Sequence, residues 1–257
     1  MTEAAKKGTK ALFKVERGEL IIESIMRKRV AVFIDETNTG GIDQGDEYVV
    51  GATVIQDSFF EYNKGRFEEI TRKRFRALNE DIQKKKEELK FADEPDLREP
   101  VLKDMSILHP NVYAATVTKP MGAQWKKNQQ RDVHRNAVFH LMKEISKKEY
   151  GKDIDLTIDE VDKLGKGTLE NMRKDLMEIH RGELIFRIGN SKNDFGLQTN
   201  DFGVGAMGKK FNRGEIKWIK YLKTEINHTH ISEEEALRDT ARKTVKMEKC
   251  NGTHTPG

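Results

Sequence analysis

Residues 29–41 read RVAVFIDETNTGG, and the other elements of the chain can be placed relative to this stretch. The apolar run at 30–34, β-branched at alternate positions, predicts a buried β-strand. The strand leads directly into two carboxylates, Asp35 and Glu36, and then into a polar loop that closes with glycine. A buried strand that ends in acid indicates that this edge of the sheet carries a site.

The composition is that of a charged, globular protein. The chain has 257 residues, enough for one large domain with extensions, and 35% of them are charged, with a mean hydropathy of -0.75. Its one cysteine, Cys250, excludes a disulfide framework and a thiolate zinc site. No apolar run approaches the roughly 20 residues of a membrane helix, and the first ten residues lack the apolar stretch of a signal peptide. We therefore expect a cytoplasmic protein without membrane contact.

Hydrophobic periodicity divides the chain into strands and helices. Strands are predicted at 11–24 (a hairpin), 29–35, 47–55, 111–118, 154–159 and 183–188. Helices are predicted at 62–89, within 96–108, at 129–149, 166–180 and 197–211, and in a tail that begins at the N-cap Ser232. Three neighbouring strands followed by alternating helices and strands predict an α/β fold, a mixed five-stranded sheet flanked by helices.

The same pattern gives the domain organisation. We predict an N-terminal extension at 1–28 and a domain at 29–212, which carries a helical insertion at 62–108. A basic C-terminal extension follows at 213–257 and frays at its end. Within that extension, the histidines of the NHTH sequence, His228 and His230, are predicted to lie in a solvent-exposed loop.

Three aspartates from distant segments are predicted to meet at one edge of the sheet. Asp35 ends the first strand of the domain, and Asp159 ends a strand expected to lie beside it. Ligands gather where the strands of an open α/β sheet end. Asp201 falls within the apolar stripe of the 197–211 helix, so its carboxylate faces inward. Three glycines of that helix would permit a close approach to the sheet: Gly203, Gly205 and Gly208.

An inward-facing carboxylate needs a cation or strong hydrogen-bond donors, because burying an unpaired charge costs several kcal/mol. Three such acids indicate a hard divalent cation, Mg²⁺ or Mn²⁺. Two ions about 3.5 to 4 Å apart can clamp a phosphodiester during attack by water. Each acid also has an ordinary structural interpretation: Asp35 as a turn cap, Asp159 as the start of a loop, and Asp201 as the N-cap of a later helix.

A basic segment follows the third aspartate. Lysine and arginine recur at helical spacing with Trp218 and Tyr221 among them, which suits phosphates and unstacked bases if the segment forms one helix. The alternative is a solvated lysine-rich surface. The basic residues predicted to contact nucleic acid here are Lys209, Lys210, Arg213, Lys217 and Lys220.

Several of these segments together resemble a known family. The sequence carries FIDET at 33–37, YVVGATV at 48–54, the tripeptide 88–90 (ELK), a later strand that ends in Asp159, and LQTNDFGVGAM at 197–207. In this order and spacing they resemble a widespread microbial domain of unknown function that belongs to the RNase H-like superfamily, with retroviral integrases and resolvases. The resemblance spans roughly residues 29–211, and no single motif in it is diagnostic.

The resemblance implies an RNase H-like fold in which Asp35, Asp159 and Asp201 hold two divalent metal ions for phosphodiester chemistry. Glu36 matches the second acid of the family's opening motif and would assist them. Lys90 is similar to the family's lysine, which would contact the scissile phosphate, and Glu88 is a further candidate. The superfamily often has another glutamate on the first core helix. The acids available there are Asp132 and Glu144.

We therefore predict a metal-dependent nuclease that hydrolyses DNA or RNA, with Mg²⁺ or Mn²⁺ as cofactor and nucleic acid as partner. One alternative is a nucleic-acid-binding protein that keeps the fold without catalysis, which the missing helix glutamate and the modest net charge of +4 favour. Another is a strand-transfer or junction-resolving enzyme that uses the same acids.

Overall fold

The computed structural model describes residues 11–16, 19–24, 28–37, 47–56, 65, 69, 91, 95–119, 125–159, 166–191 and 194–238. The strands are β1 (Ala11–Glu16), β2 (Glu19–Ser24), β3 (Arg29–Thr37), β4 (Glu47–Gln56), β5 (Asn111–Thr118), β6 (Asp153–Asp159), β7 (Leu184–Gly189) and β8 (Ile226–Ile231). The α-helices are α1 (Pro95–Met105), α2 (Lys127–Lys148), α3 (Lys166–Ile179), α4 (Phe195–Arg213), α5 (Lys217–Leu222) and α6 (Glu233–Ala236). The helix predicted at 62–89 lies outside the described residues, apart from positions 65 and 69.

The main sheet is mixed, and its strand order is β7-β6-β3-β4-β5-β8. The strands β3, β6 and β7 run parallel to one another, while β4 is antiparallel to both β3 and β5. The predicted α/β class, a mixed sheet with flanking helices, is therefore confirmed. The predicted hairpin is also present, as the separate antiparallel pair β1-β2.

The sheet has six strands where the sequence predicted five. The additional strand is β8, which pairs in parallel with β5 and contains the NHTH sequence predicted as a loop. That prediction was wrong because the pairing partner lies more than 100 residues away in the chain. His228 and His230 both lie within hydrogen-bonding distance of the Thr116 hydroxyl, at 2.9 and 3.2 Å.

Two apolar layers cover the two faces of the sheet. Side chains of β3 alternate between them: Val32 and Ile34 pack with α2 and α3, whereas Ala31 and Phe33 pack with α1, α4 and α5. The centre of the sheet is thus buried on both sides, as the apolar run in β3 predicted. Within the described residues, no helix is long and apolar enough to cross a membrane.

The start of α4 is fixed by Asp194. Its carboxylate accepts hydrogen bonds from the backbone N–H groups of Gly196 and Leu197, at 2.9 and 3.1 Å. Asp194→Ala is expected to destabilise the protein by about 1 kcal/mol because two N–H groups at the helix start lose their acceptor. Asp194→Asn retains an acceptor and is the control. Urea denaturation measures both, and equal stability of the alanine variant and the wild type would contradict this role.

Candidate active site at the edge of the sheet

The register of β3 and β6 brings Asp35 and Asp159 to the same edge of the sheet. The strands run parallel, with Phe33 opposite Thr157 and Ile34 opposite Ile158, so the next residue of each strand is an aspartate. Because side chains alternate along a strand, both aspartates lie on the face covered by α4. The arrangement follows from the strand ends that the sequence predicted.

The helix α4 lies close along this face of β3. A Cβ atom built on Gly196 would lie 2.1 Å from Phe33 Cε1, and one built on Gly208 would lie 2.7 Å from Thr37 Cγ2. Phe33 and Thr37 are the same-face neighbours of Asp35, and Asp201 lies between the two glycines on the helix. The predicted close approach is therefore confirmed at Gly208. Gly203, by contrast, has only ordinary van der Waals neighbours, the nearest at 3.4 Å.

A glycine on the neighbouring strand also makes room for the helix. Gly51 of β4 is paired with Asp35 across the sheet. A Cβ at Gly51 would lie 2.7 Å from both Val204 Cγ2 and Met207 Cε of α4. The missing side chain lets α4 lie directly beside the strand end that carries Asp35. The sequence analysis did not identify this glycine, because its role depends on a helix about 150 residues further along the chain.

Asp35 is a buried acid among other acids. Its residue is 8% exposed. Burial raises the pKa of Asp35 well above its ordinary value, and the negative charges of Glu36, Asp201 and Asp159 raise it further. The hydrogen bond from the Glu36 N–H opposes this rise in pKa without cancelling it. Asp159 and Asp201 thus both lie close enough to Asp35 for their charges to act on it.

Backbone N–H groups orient each of the three carboxylates. Asp35 Oδ1 accepts a hydrogen bond from the N–H of Glu36 at 2.7 Å. Asp201 Oδ2 accepts one from the N–H of Phe91 at 2.6 Å, and Asp159 Oδ1 accepts one from the N–H of Ser191 at 3.1 Å. The turn that Asp35 would cap and the loop that Asp159 would begin lie largely outside the described residues, so those two structural alternatives stay open. The N-cap alternative for Asp201 is wrong. Asp194, not Asp201, caps α4.

Glu36 lies on the other face of the sheet. Its carboxylate Oε2 is 3.9 Å from Nδ1 of His134, a buried residue of α2 that is also 2.7 Å from the Tyr48 hydroxyl. Burial and the charges of Glu36 and Asp35 raise the pKa of Tyr48 well above its ordinary value. Glu36 therefore acts on Asp35 through its charge, while its side chain points into a separate buried polar group.

The first core helix contributes no acid to the charges that act on Asp35. Glu144 forms an ion pair with Lys147 at 2.5 Å. The carboxylates that raise the pKa of Asp35 are Glu36, Asp201 and Asp159, and neither Asp132 nor Glu144 is among them. His134 of α2 faces the end of β3, through Glu36.

No group of three or more His, Cys, Asp or Glu side chains is arranged as a metal site in the part of the chain that the structure describes. The backbone brings three carboxylates together, but one oxygen of each is directed to a backbone N–H. The donor set, carboxylate oxygens around a buried acid, has the chemistry that Mg²⁺ and Mn²⁺ require. Lys90, the predicted phosphate contact, lies outside the described residues, as does Glu88.

The predicted basic helix is two helices. Gly214 ends α4 in the left-handed conformation, with φ of 67°, and its N–H bonds to the carbonyls of Lys209 and Lys210. Lys209, Lys210 and Arg213 therefore lie on α4, whereas Lys217 and Lys220 lie on α5. One continuous stripe over all five residues, as the spacing predicted, does not form.

The aromatic residues beside these cations are occupied by packing. Trp218 donates a hydrogen bond to Glu215 at 3.1 Å and meets the Phe91 ring edge-on. Lys217 Nζ lies 4.4 Å from the centroid of the Trp218 ring, and Lys103 Nζ lies 5.1 Å from that of Tyr221. Both rings pack against the apolar layer under α1 and α5. Both rings are therefore partly buried by this packing.

Comparison with known proteins gives a single kind of match. No protein-family model matches the chain, and no curated protein matches it in sequence. Among solved structures, the chain is similar to the ribonuclease H2 of Pyrococcus horikoshii OT3, with 12% identity and a TM-score of 0.41. The match covers 71% of this chain and 73% of the ribonuclease. Values this low concern the path of the chain alone and say nothing about what this chain binds.

Proposed function

We propose that the protein is a metal-dependent nuclease that hydrolyses phosphodiester bonds of DNA or RNA at the edge of β3 and β6. The observation that carries this proposal is Asp35, a carboxylate whose pKa is raised by burial, by Glu36, and by acids from two distant segments, Asp201 and Asp159. A protein core does not keep such a cluster without a gain elsewhere, because each like charge beside Asp35 makes its ionised form less stable.

A divalent cation removes this repulsion. Asp35, Asp159 and Asp201 would hold Mg²⁺ or Mn²⁺, which supplies an activated water and stabilises the leaving oxygen of the phosphodiester. One oxygen of each aspartate accepts a hydrogen bond from a backbone N–H, which orients the side chain and is compatible with metal coordination by the same carboxylate. Glu36 would contribute negative charge from the opposite face, and Lys90 would contact the substrate phosphate.

The test is degradation of end-labelled single- and double-stranded DNA and RNA in Mn²⁺ or Mg²⁺. Wild-type protein is compared with Asp35→Asn and Asp201→Asn, and with Glu178→Gln, which removes an exposed carboxylate of α3. Even residues behind the metal ligands change metal affinity or activity by roughly 10- to 100-fold. Each aspartate variant is therefore expected to lose at least about 100-fold in cleavage rate. Equal cleavage by all four proteins would mean that these acids do not catalyse it.

A second candidate is a nucleic-acid-binding protein that keeps this fold without catalysis. Two observations favour it: no metal-ligating group is preformed among the described residues, and α2 adds no acid beside Asp35. The same assay distinguishes the two proposals, because binding of labelled oligonucleotide without metal-dependent cleavage supports the second. Four-way junction substrates would identify a junction-resolving or strand-transfer enzyme that uses the same acids.

A further inference from the structure

One stripe of α4 connects the acids to a group of cations. Asp201, Gly205, Lys209 and Arg213 follow one another at four-residue spacing, so each lies next to its successor on the helix surface. Asp201 and Lys209 are about 12 Å apart along the helix axis. The carboxylate at one end of the stripe belongs to the candidate active site, and the other end is basic.

Phe91 packs against this stripe and links a further cation, Arg98, to it by hydrogen bonds. A Cβ built on Gly205 would lie 2.4 Å from Phe91 Cδ1, so the ring occupies the space above that glycine. The Phe91 N–H donates to Asp201 at 2.6 Å, and its carbonyl accepts from Arg98 Nε at 2.7 Å. Arg98 and Asp201 are thus joined through one residue, which holds Arg98 Nε within about 9 Å of the Asp201 carboxylate.

The guanidinium of Arg98 is held in a defined orientation. Its Cζ lies 4.6 Å from the centroid of the Phe91 ring and 5.8 Å from that of Trp218. A planar guanidinium fixed by a hydrogen bond and by ring contacts is suited to phosphate, because little conformational freedom is lost when it binds. The sequence analysis did not single out Arg98, which lies in the predicted insertion.

We propose that Arg98, Lys209 and Arg213 form a phosphate-binding track that leads from Asp201 along α4. It would take successive phosphodiester groups of a nucleic-acid strand that enters or leaves the site. The track rests on nucleic acid being the ligand, as in the proposed function, but not on cleavage. Of the five basic residues predicted from the sequence, Lys217 and Lys220 do not belong to the track, since they lie beyond the helix break at Gly214.

Electrostatics supports this grouping. Burial lowers the pKa of Lys209, and the positive charges of Arg213 and Arg98 lower it further, although Glu215 opposes them. A partly buried lysine beside two other cations favours an anion as partner, just as the aspartates favour a cation. Lys210, next along the chain, instead lies 5.3 Å from the ring of Phe211 and close to His228. We therefore exclude Lys210 from the track.

The experiment is fluorescence anisotropy with labelled single-stranded and duplex oligonucleotides of DNA and RNA, in EDTA so that no cleavage occurs. The variants Arg98→Ala, Lys209→Met and Arg213→Gln each remove one cation, and Lys174→Met removes an exposed one from α3 on the other side of the sheet. Each track variant is expected to weaken binding about tenfold and to make the salt dependence shallower by about one phosphate contact. Lys174→Met is expected to bind as wild type does. Thermal unfolding checks that every variant is folded. If Arg98→Ala does not fold, Arg213→Gln still tests the proposal, because Arg213 is exposed and its substitution leaves the core unchanged.

Competition by inorganic phosphate and by a mononucleotide identifies the source of the phosphate group. A track for a strand requires that neither competes at concentrations comparable to the oligonucleotide. Competition at equal concentration, or a loss with Lys174→Met as large as with the track variants, would overturn the proposal. So would unchanged binding by all three track variants, whether or not the wild type cleaves. If the track variants bind more weakly but the wild type cleaves no substrate, the proposed phosphate-binding track is supported and the proposed nuclease activity is contradicted.

Discussion

Asp35→Asn is expected to raise the free energy of unfolding of the metal-free protein at neutral pH by up to about 2 kcal/mol, the usual upper size for one stabilising substitution, or up to roughly 4–8 °C in unfolding temperature. The variant removes a buried negative charge that is repelled by Glu36, Asp159 and Asp201, while an asparagine oxygen can still accept the hydrogen bond from the Glu36 N–H. Stability would rise although the proposed activity is lost. A substitution that increases stability while it removes activity is expected at a catalytic residue and not at an ordinary core residue.

The gain should depend on pH in a defined direction. The pKa of Asp35 is raised in the folded state, so the folded protein binds the proton more tightly than the unfolded chain does. The contribution of Asp35 to stability is therefore fully present below the unfolded-state pKa of about 4 and is lost as the pH rises through the folded-state value. The difference between Asp35→Asn and wild type should be small at pH near 4 and grow toward neutrality.

Thermal unfolding in EDTA across this pH range measures the effect. Glu178→Gln is the control, because it also removes one negative charge, but from an exposed position. Added Mn²⁺ should stabilise the wild type and leave Asp35→Asn almost unchanged, since ligand binding to the folded state alone raises its stability. If Asp35→Asn were less stable than wild type at neutral pH, or were stabilised by Mn²⁺ as much as wild type is, the proposal that these acids form a cation-binding site would be contradicted.

The acids could be located from the sequence because strong local patterns carry them. Asp35 and Asp159 each follow an apolar run that forms a strand, and parallel strands end at the same edge. Asp201 lies in an apolar helical stripe whose Leu197 and Val204 are buried. Spacing alone thus gives the element and the face of each residue, and the fold then brings the three together.

The position of Glu36 follows from the alternation of side chains along β3 and not from the family resemblance. Adjacent residues of a strand point to opposite faces, so Glu36 could not share the face of Asp35 while both remain in β3. The Glu36 side chain lies beside His134 of α2, which in turn contacts Tyr48 of the neighbouring strand β4. Those contacts are not encoded in the local sequence, and no spacing rule predicts them.

Long-range contacts account for the remaining misses. The strand β8 is polar at the positions of its two histidines and becomes a strand only because β5 offers an open edge. Arg98 belongs to a helix that the sequence predicted. Its position near Asp201 depends on Phe91, which forms backbone hydrogen bonds with both residues. The break at Gly214 did have a local signal, a glycine after a basic helix end, but the regular spacing of lysines continued past it.

Gly196→Ala is expected to destabilise the protein by about 2 kcal/mol or more, against the usual preference of helices for alanine. The added methyl group would lie 2.1 Å from Cε1 and 2.3 Å from Cζ of Phe33. The ring is buried at the centre of the sheet and cannot move aside without displacing α4 or its neighbours. Because α4 also carries Asp201, displacement of the helix should reduce metal-dependent cleavage as well as stability.

Gly167→Ala is the matched control, because Gly167 lies in the first turn of α3 and a Cβ there would meet nothing within 4 Å. That variant is expected to be neutral or more stable by up to about 1 kcal/mol. Urea denaturation measures both variants, and an unchanged slope would assign the difference to the folded state. If Gly196→Ala were as stable as Gly167→Ala, α4 would not be pressed against β3. The closeness of Asp201 to Asp35, on which the proposed site depends, would then lose its structural cause.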